Sequence, residues 1–268
     1  MTTIPAEWRP HKAIWTAWPS AGDLWGEDLD PARAEVSAMV RALWDGGNGD
    51  KMRVLAHGRE AEASAKLALG QAAEVIPGAF GAIWFRDTGP IFDSAGVAHG
   101  FQFNGWGGKY QLPHDDEVGA RVALLAKADY RRHEFILEGG AIEMDGEGTL
   151  LTTRQCLLNP NRNAHWTEEG AEVALKRALG VEKVLWLSEG LLNDHTDGHI
   201  DNLARFVAPG VASKASRGPA ATRRGVGDAR THSSTTAAAL AHSGGGDDLH
   251  RVAARLHLRR LGDHLPSD

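Results

Sequence analysis

Two imidazoles and three carboxylates fall within the ten positions of NDHTDGHIDN, residues 193–202. Imidazole and carboxylate together suit ligation of a divalent ion, proton transfer, or recognition of an organic cation. His195 and His199 sit in a glycine-containing stretch, not on a helix of the His-Glu-x-x-His kind, which weakens a zinc reading. A metal-dependent hydrolase using Asp194, Asp197 and Asp201, and a polar turn without chemistry, stand beside the acid/base reading. Three other stretches offer partners. In WFRDTGP, residues 84–90, Trp84, Arg86 and Asp87 fall where a strand is expected to end before the Gly89-Pro90 break. Rigid scaffolds commonly present functional groups from such ends; a simple Asp87–Arg86 pair is the plainer alternative. FNGWGGK, residues 103–109, has three glycines that let backbone approach closely. It lacks the spacing of a phosphate loop, and Asn104 and Lys109 read as loop-shaping. In LEGGAIEMDGEG, Glu138 ends an apolar strand and two glycines follow.

The elements that must hold these groups alternate. DPARAEVSAMVRALWDGG reads as a helix with Asp30 as N-cap and Pro31 at N1; Val36, Met39, Val40 and Leu43 recur at helical spacing before Gly46-Gly47. KMRVLAH reads as a strand and GREAEASAKLALG as a helix. GAIWFRDTGP reads as a strand ending at Phe85 or Arg86, and VAHGFQFN as a strand running into the glycine-rich loop. DDEVGARVALLAKA is helical. RHEFILEGGAIEMDGEGTLLTTRQCLL gives two strands around a turn at Asp145-Gly146. TEEGAEVALKRALG is a helix capped by Thr167, and the strand KVLWL follows. This alternation to about residue 208 predicts an α/β architecture.

The 268 residues suffice for one large domain or two small ones, and 42 % apolar content for a sizeable core. A net charge of −6 leaves no electrostatic footprint for nucleic acid or anionic membrane. No basic leader with an apolar run and no long apolar span occurs, which predicts a soluble, cytoplasmic protein. Cys156, the sole cysteine, excludes an internal disulfide framework and reads as a buried structural thiol in the strand-like run LLTTRQCLLNPNRN. Residues 211–268 contain no Trp, Tyr, Phe, Ile, Met, Cys, Asn, Gln or Glu. Such a segment buries little apolar surface, so poor order is expected. Its residue types are those of GC-rich codons, which fits a disrupted reading frame. Residues 1–210 are therefore expected to form the functional domain and 211–268 an aberrant tail.

EWRPHKAIWTAWP, WFRDTGP, FNGWGGK, LEGGAIEMDGEGTLLTTRQCLLNPNRN and DHTDGHIDNLARF, in this order, resemble the agmatine deiminase and bacterial peptidyl-arginine deiminase family. The resemblance spans about residues 7–208. It implies a pentein-type α/β propeller of five ββαβ units, of which this chain would supply about three. It implies hydrolysis of agmatine to N-carbamoylputrescine and ammonia, as in putrescine synthesis, or of a peptidyl arginine, with no cofactor and no metal. Asp87 and Asp201 would hold the guanidinium bidentately. His199 would be the acid/base, on the same side of an extended segment as Asp201, oriented by Glu138. Trp84 would wall the substrate. The family's nucleophile is a cysteine near its C-terminus, in a Gly-Gly-Gly-x-x-His-Cys context; here GGGDDLHR carries Arg251 instead. The chain is therefore expected to be marginally stable and to lack deiminase activity. A non-catalytic guanidinium-binding fragment is the remaining alternative, and assembly into a homo-oligomer is left open.

Overall fold

The computed structural model describes residues 2–214, which fall in one compact unit, Met1–Ala215. The expectation of a poorly ordered, frame-shifted tail lies outside the described residues, apart from 211–214.

Three three-stranded sheets and a hairpin follow one another along the chain. In the first, strands β1 (Ile14–Ala17), β2 (Met52–Ala56) and β3 (Glu74–Pro77) are all parallel, with β2 central. Parallel neighbours need long crossovers, which the short helix α1 (Gly22–Trp25) and helix α2 (Leu29–Trp44) supply before β2, and helix α3 (Arg59–Leu69) after it. Helix α2 buries Ala32, Val36 and Val40, and α3 buries Ala61, Ala65 and Leu69. Each set repeats every fourth residue and so forms one face. Asp28, not Asp30, occupies the N-cap position of α2, with no side-chain capping bond. Pro31 then sits at N3, still among the N–H positions that lack an acceptor within the helix.

The second sheet has the order β4 (Ile91–Phe92), β5 (Ala98–Gln102), β6 (Tyr130–Ile136). The third has the order β7 (Ile142–Met144), β8 (Thr149–Thr153), β9 (Lys183–Leu187). Each opens with an antiparallel hairpin and closes with a parallel crossover, through helix α6 (Val118–Ala126) and helix α8 (Glu168–Leu179) respectively. Both are thus ββαβ units, whereas the first sheet is βαβαβ. The two hairpins turn alike. Asp93 Oδ1 accepts from the backbone N–H of Ala95 and Val97, and Asp145 Oδ1 from those of Glu147 and Thr149. Strands β10 (Ala204–Ala208) and β11 (Val211–Lys214) form a further antiparallel hairpin. Among the described residues no sheet closes on itself, and no helix is long and apolar enough to cross a membrane.

The core of the third unit gathers Leu137, Ile142, Leu150, Cys156, Leu157, Leu175 and Leu179. One expected strand end is a short helix, and another expected strand gives way to a helix after Thr153. Phe85–Thr88 is the one-turn helix α4, because the Trp84 carbonyl accepts from the N–H groups of Asp87 and Thr88 and the Thr88 hydroxyl. Arg154–Leu157 is helix α7, capped by Thr153 Oγ1, which accepts from Cys156 N–H. The stretch around Asp145 yields three strands rather than two, because β6 ends before Glu138 and β7 begins after it.

Candidate active site

Each expected site residue lies in a connection between consecutive sheets. Asp87 is on α4, between β3 and β4. Glu138 follows β6 and caps the 3-10 turn Gly139–Ala141 that leads into β7. His199 and Asp201 lie between β9 and β10, with His199 at the cap of the 3-10 turn Ile200–Asn202. That segment is therefore not extended. It still aims both groups one way because Ile200, wholly buried with Leu151, Ala204 and Phe206, pins the turn to the core. Burying an isoleucine is worth about 1.5–3 kcal/mol, enough to fix a short turn.

Asp87, His199 and Asp201 each place one polar atom within 4.8 Å of the others. Nδ1 of His199 lies 3.7 Å from Asp87 Oδ1 and 4.0 Å from Asp201 Oδ1. Gly140 is the floor under all three. A Cβ there would stand 2.5 Å from His199 Nδ1, 2.6 Å from Asp87 Oδ1 and 2.7 Å from Asp201 Oδ2. Asp87 is held by two donors, the backbone N–H of Gly140 and the indole N–H of Trp106, both at 3.0 Å. Arg86 does not supply the partner foreseen for Asp87; it pairs with Glu7 and Glu143. Trp84 is half-buried, three residues before Asp87.

Trp106 lies in the glycine-rich helix α5 (Gly105–Gly108), where it adopts a left-handed conformation, φ 54° and ψ 51°. For a bulky residue this is a strained state that surrounding contacts must hold. Asn104 supplies some of them: its Oδ1 accepts from Gly107 N–H and its Nδ2 donates to the Asn161 carbonyl. Lys109 donates to the His195 carbonyl and pairs with Asp197 at 2.6 Å. Asp194 accepts from Thr196, Gly198 and Asn202 and so shapes the turn before His199. The decapeptide that looked like one ligand cluster is thus divided: Asp194 and Asp197 are engaged within the loops, and His199 and Asp201 face Asp87.

Burial and the facing Asp87 carboxylate push Asp201 up to about 7, against the pull of Arg86. Burial likewise pushes His199 down to about 4, although Glu138 and Asp194 act to raise it. The imidazole is neutral at pH 7 and can accept a proton. Two carboxylates on one side of a neutral imidazole form a seat for a planar cation with forked N–H donors. The Asp87–His199–Asp201 cluster has the donor set for a hard or borderline divalent ion as well.

Glu138 is wholly buried, its Oε1 2.7 Å from Nε of Arg162, which is also withdrawn from solvent. Cys156 lies beside them: one atom each from Glu138, Cys156 and His199 falls within 4.8 Å. Its thiol is pushed well above the ordinary value, first by burial and then by Glu138, so it stays protonated. Trp106, Gly140 and Arg162 were not singled out from the sequence, whereas Asp197 was, as a possible ligand. Arg162 had no readable signal, because an arginine before an asparagine in a loop looks solvated.

Known proteins resemble the chain over most of the described residues. The chain is 39 % identical over 217 residues to the agmatine deiminase of Stutzerimonas stutzeri, and 40 % identical over 218 residues to that of Pseudomonas aeruginosa strain LESB58. Each alignment takes in 77 % of this chain and 58 % of the relative, so the chain spans less than two thirds of their length. Among solved structures, the agmatine deiminase of Enterococcus faecalis superposes with a TM-score of 0.74 at 30 % identity, covering 80 % of this chain and 60 % of that one. A C. jejuni agmatine deiminase with substrate bound superposes with a TM-score of 0.72 at 28 % identity, covering 80 % and 64 %. The profile of the Porphyromonas-type peptidyl-arginine deiminase family matches residues 3–233, well over half the sequence, and the chain belongs to that family.

Proposed function

We propose that this chain carries the guanidinium seat and acid/base of an agmatine deiminase-type hydrolase. The observation that carries the reading is the convergence of Asp87, Asp201 and His199 over Gly140. In the reaction, agmatine and water become N-carbamoylputrescine and ammonia. Asp87 and Asp201 hold the guanidinium, with Trp84 beside its apolar chain. Neutral His199 takes the proton of a cysteine thiol as the sulfur adds to the guanidinium carbon and passes it to the departing ammonia; it then takes a proton from the water that cleaves the carbon–sulfur bond and returns it to the thiolate. Glu138 supports the imidazole. The three sheets are read as blades of a pentein-type propeller, three of its five; the hairpin-and-crossover order repeated in the second and third supports this.

Cys156, the sole cysteine, cannot serve as that thiolate. It is fully buried in the core and its thiol is held protonated. We therefore expect agmatine binding without turnover. Calorimetry should find millimolar or tighter affinity, about −4 kcal/mol or better. Asp87→Asn and Asp201→Asn should each weaken it about ten- to hundredfold, as loss of a charge-assisted bond does. No ammonia should be released. Ammonia release abolished by His199→Ala would overturn the inactivity, and absence of binding at tens of millimolar would overturn the guanidinium reading. The same cluster would suit a metal-dependent hydrolase; stoichiometric metal in the purified protein, found by elemental analysis, would favour that instead. An internal-arginine peptide that bound more tightly than agmatine would shift the substrate to peptidyl arginine.

A further inference from the structure

Among the described residues Arg162 is the only lysine or arginine that is buried. Its guanidinium joins two places far apart in sequence. Nε donates to Glu138 Oε1 at 2.7 Å, at the end of the second sheet. Nη1 donates to Asp197 Oδ2 at 2.6 Å and Asn161 Oδ1 at 2.8 Å, and Nη2 to the Thr196 carbonyl at 3.1 Å. Thr196 and Asp197 lie three and two residues before His199, whose own N–H donates to Thr196 Oγ1. Two buried atoms are left without a hydrogen-bond partner in this region, Glu138 Oε2 and His199 Nε2. Oε2 is an acceptor, and Nε2 becomes a donor when it carries the ring proton. The other ring nitrogen, Nδ1, already faces Asp87 and Asp201.

We propose that Arg162 is a positioning residue: by fixing Oε1 of Glu138 and the Thr196–Asp197 turn together, it presents Glu138 Oε2 to His199 Nε2. The imidazole then keeps its proton on Nε2 and turns the Nδ1 lone pair toward the guanidinium seat. This deepens the proposed function and rests on His199 being its acid/base. One oxygen of Glu138 is tied to Arg162, and the other is left for the imidazole. A cation that merely stood nearby would act on the charge of His199 and leave the site of its proton unchanged.

The test is the tautomer of His199 in the whole chain, labelled with 15N-histidine and read without ligand at pH 7.5, with His199→Gln to assign the signal. The wild type should carry the proton on Nε2. Glu138→Gln, whose amide can donate to the ring, should move it to Nδ1. Arg162→Met should move it in the same sense, raising the Nδ1–H population at least several-fold. Arg162→Lys keeps the charge but cannot bond Glu138, Asp197 and Thr196 at once, so it should give a smaller shift and decides the matter if Arg162→Met does not fold. A wild-type proton on Nδ1, or an unchanged tautomer in the folded arginine variants, would overturn the proposal. Agmatine titrated separately into the wild type isolates the other premise: failure to bind refutes the guanidinium seat and leaves the tautomer result standing.

Discussion

Burial of Asp201, reinforced by repulsion from Asp87 across His199, governs how the site responds to pH. Asp201, pushed up to about 7, holds a proton below that value, whereas a guanidinium requires the ionised form. Agmatine affinity should therefore rise through pH 7, and binding at pH 6.5 should release a proton, which calorimetry in buffers of different ionisation enthalpy measures. The same shift bears on stability. The folded chain binds the extra Asp201 proton between the ordinary 3.8 and about 7, so this contribution is lost as pH rises through 7. His199 acts in the opposite sense: its value falls from 6.5 to about 4, so stability is lost as pH drops through that window. The two oppose each other below 6.5, where Asp115, pushed up to about 6 by burial, adds to the Asp201 effect. Above 6.5 Asp201 acts alone of the three. Asp201→Asn should thus melt higher than the wild type at pH 8 while binding agmatine more weakly. Gly140→Ala places a methyl among three polar atoms at 2.5–2.7 Å. It should cost about 1–3 kcal/mol of stability and at least tenfold in agmatine affinity, measured by melting and calorimetry. Asp87, Glu138, His199 and Asp201 were singled out in the sequence because their types and order resemble a known family, and the folded chain gathers Asp87 and Asp201 on one side of His199 and Glu138 close to it. Gly140 was visible only as half of a glycine pair, and Trp106 was not singled out, since nothing in FNGWGGK tells an indole N–H aimed at a carboxylate from one merely buried.

Periodic elements were the readable ones. Helix α8 was foreseen with its cap, and Thr167 Oγ1 does accept from Gly170 N–H at 3.1 Å; β9 matches KVLWL residue for residue. Thr167→Ala should lower stability by about 1 kcal/mol, a fall of about 2–4 °C in Tm for a chain of this size. Agmatine binding should not change, because the cap touches none of the site residues. Short elements were not readable. Trp84 and Phe85 favour a strand by type, yet three donors converge on the Trp84 carbonyl and wind the segment into a turn. The start of α2 was displaced by two residues because Asp28 and Asp30 are equally plausible caps by type, and neither makes the capping bond that would distinguish them.

At the scale of the molecule, Cys156 reports on the fold as a whole. It sits in the core of the third unit with no exposed surface, and its thiol is held protonated. A thiol reagent should therefore label it only under denaturant, with a midpoint that coincides with loss of helical circular dichroism; rapid labelling of the native chain would contradict this packing. The α/β alternation was legible from pattern alone, but the pairing of strands was not, since a parallel crossover and a hairpin leave similar local signatures. What pattern could not reveal at all is the placement of the chemistry at successive junctions: α4 after the first sheet, Glu138 after the second, the His199 turn after the third. The sheets hold the junctions at fixed separations and contribute none of those side chains themselves. Scaffold and reactivity are in this sense separately inherited. A lineage built this way can exchange its chemistry by rewriting a few inter-sheet residues, and the strands beneath need not record that the change took place.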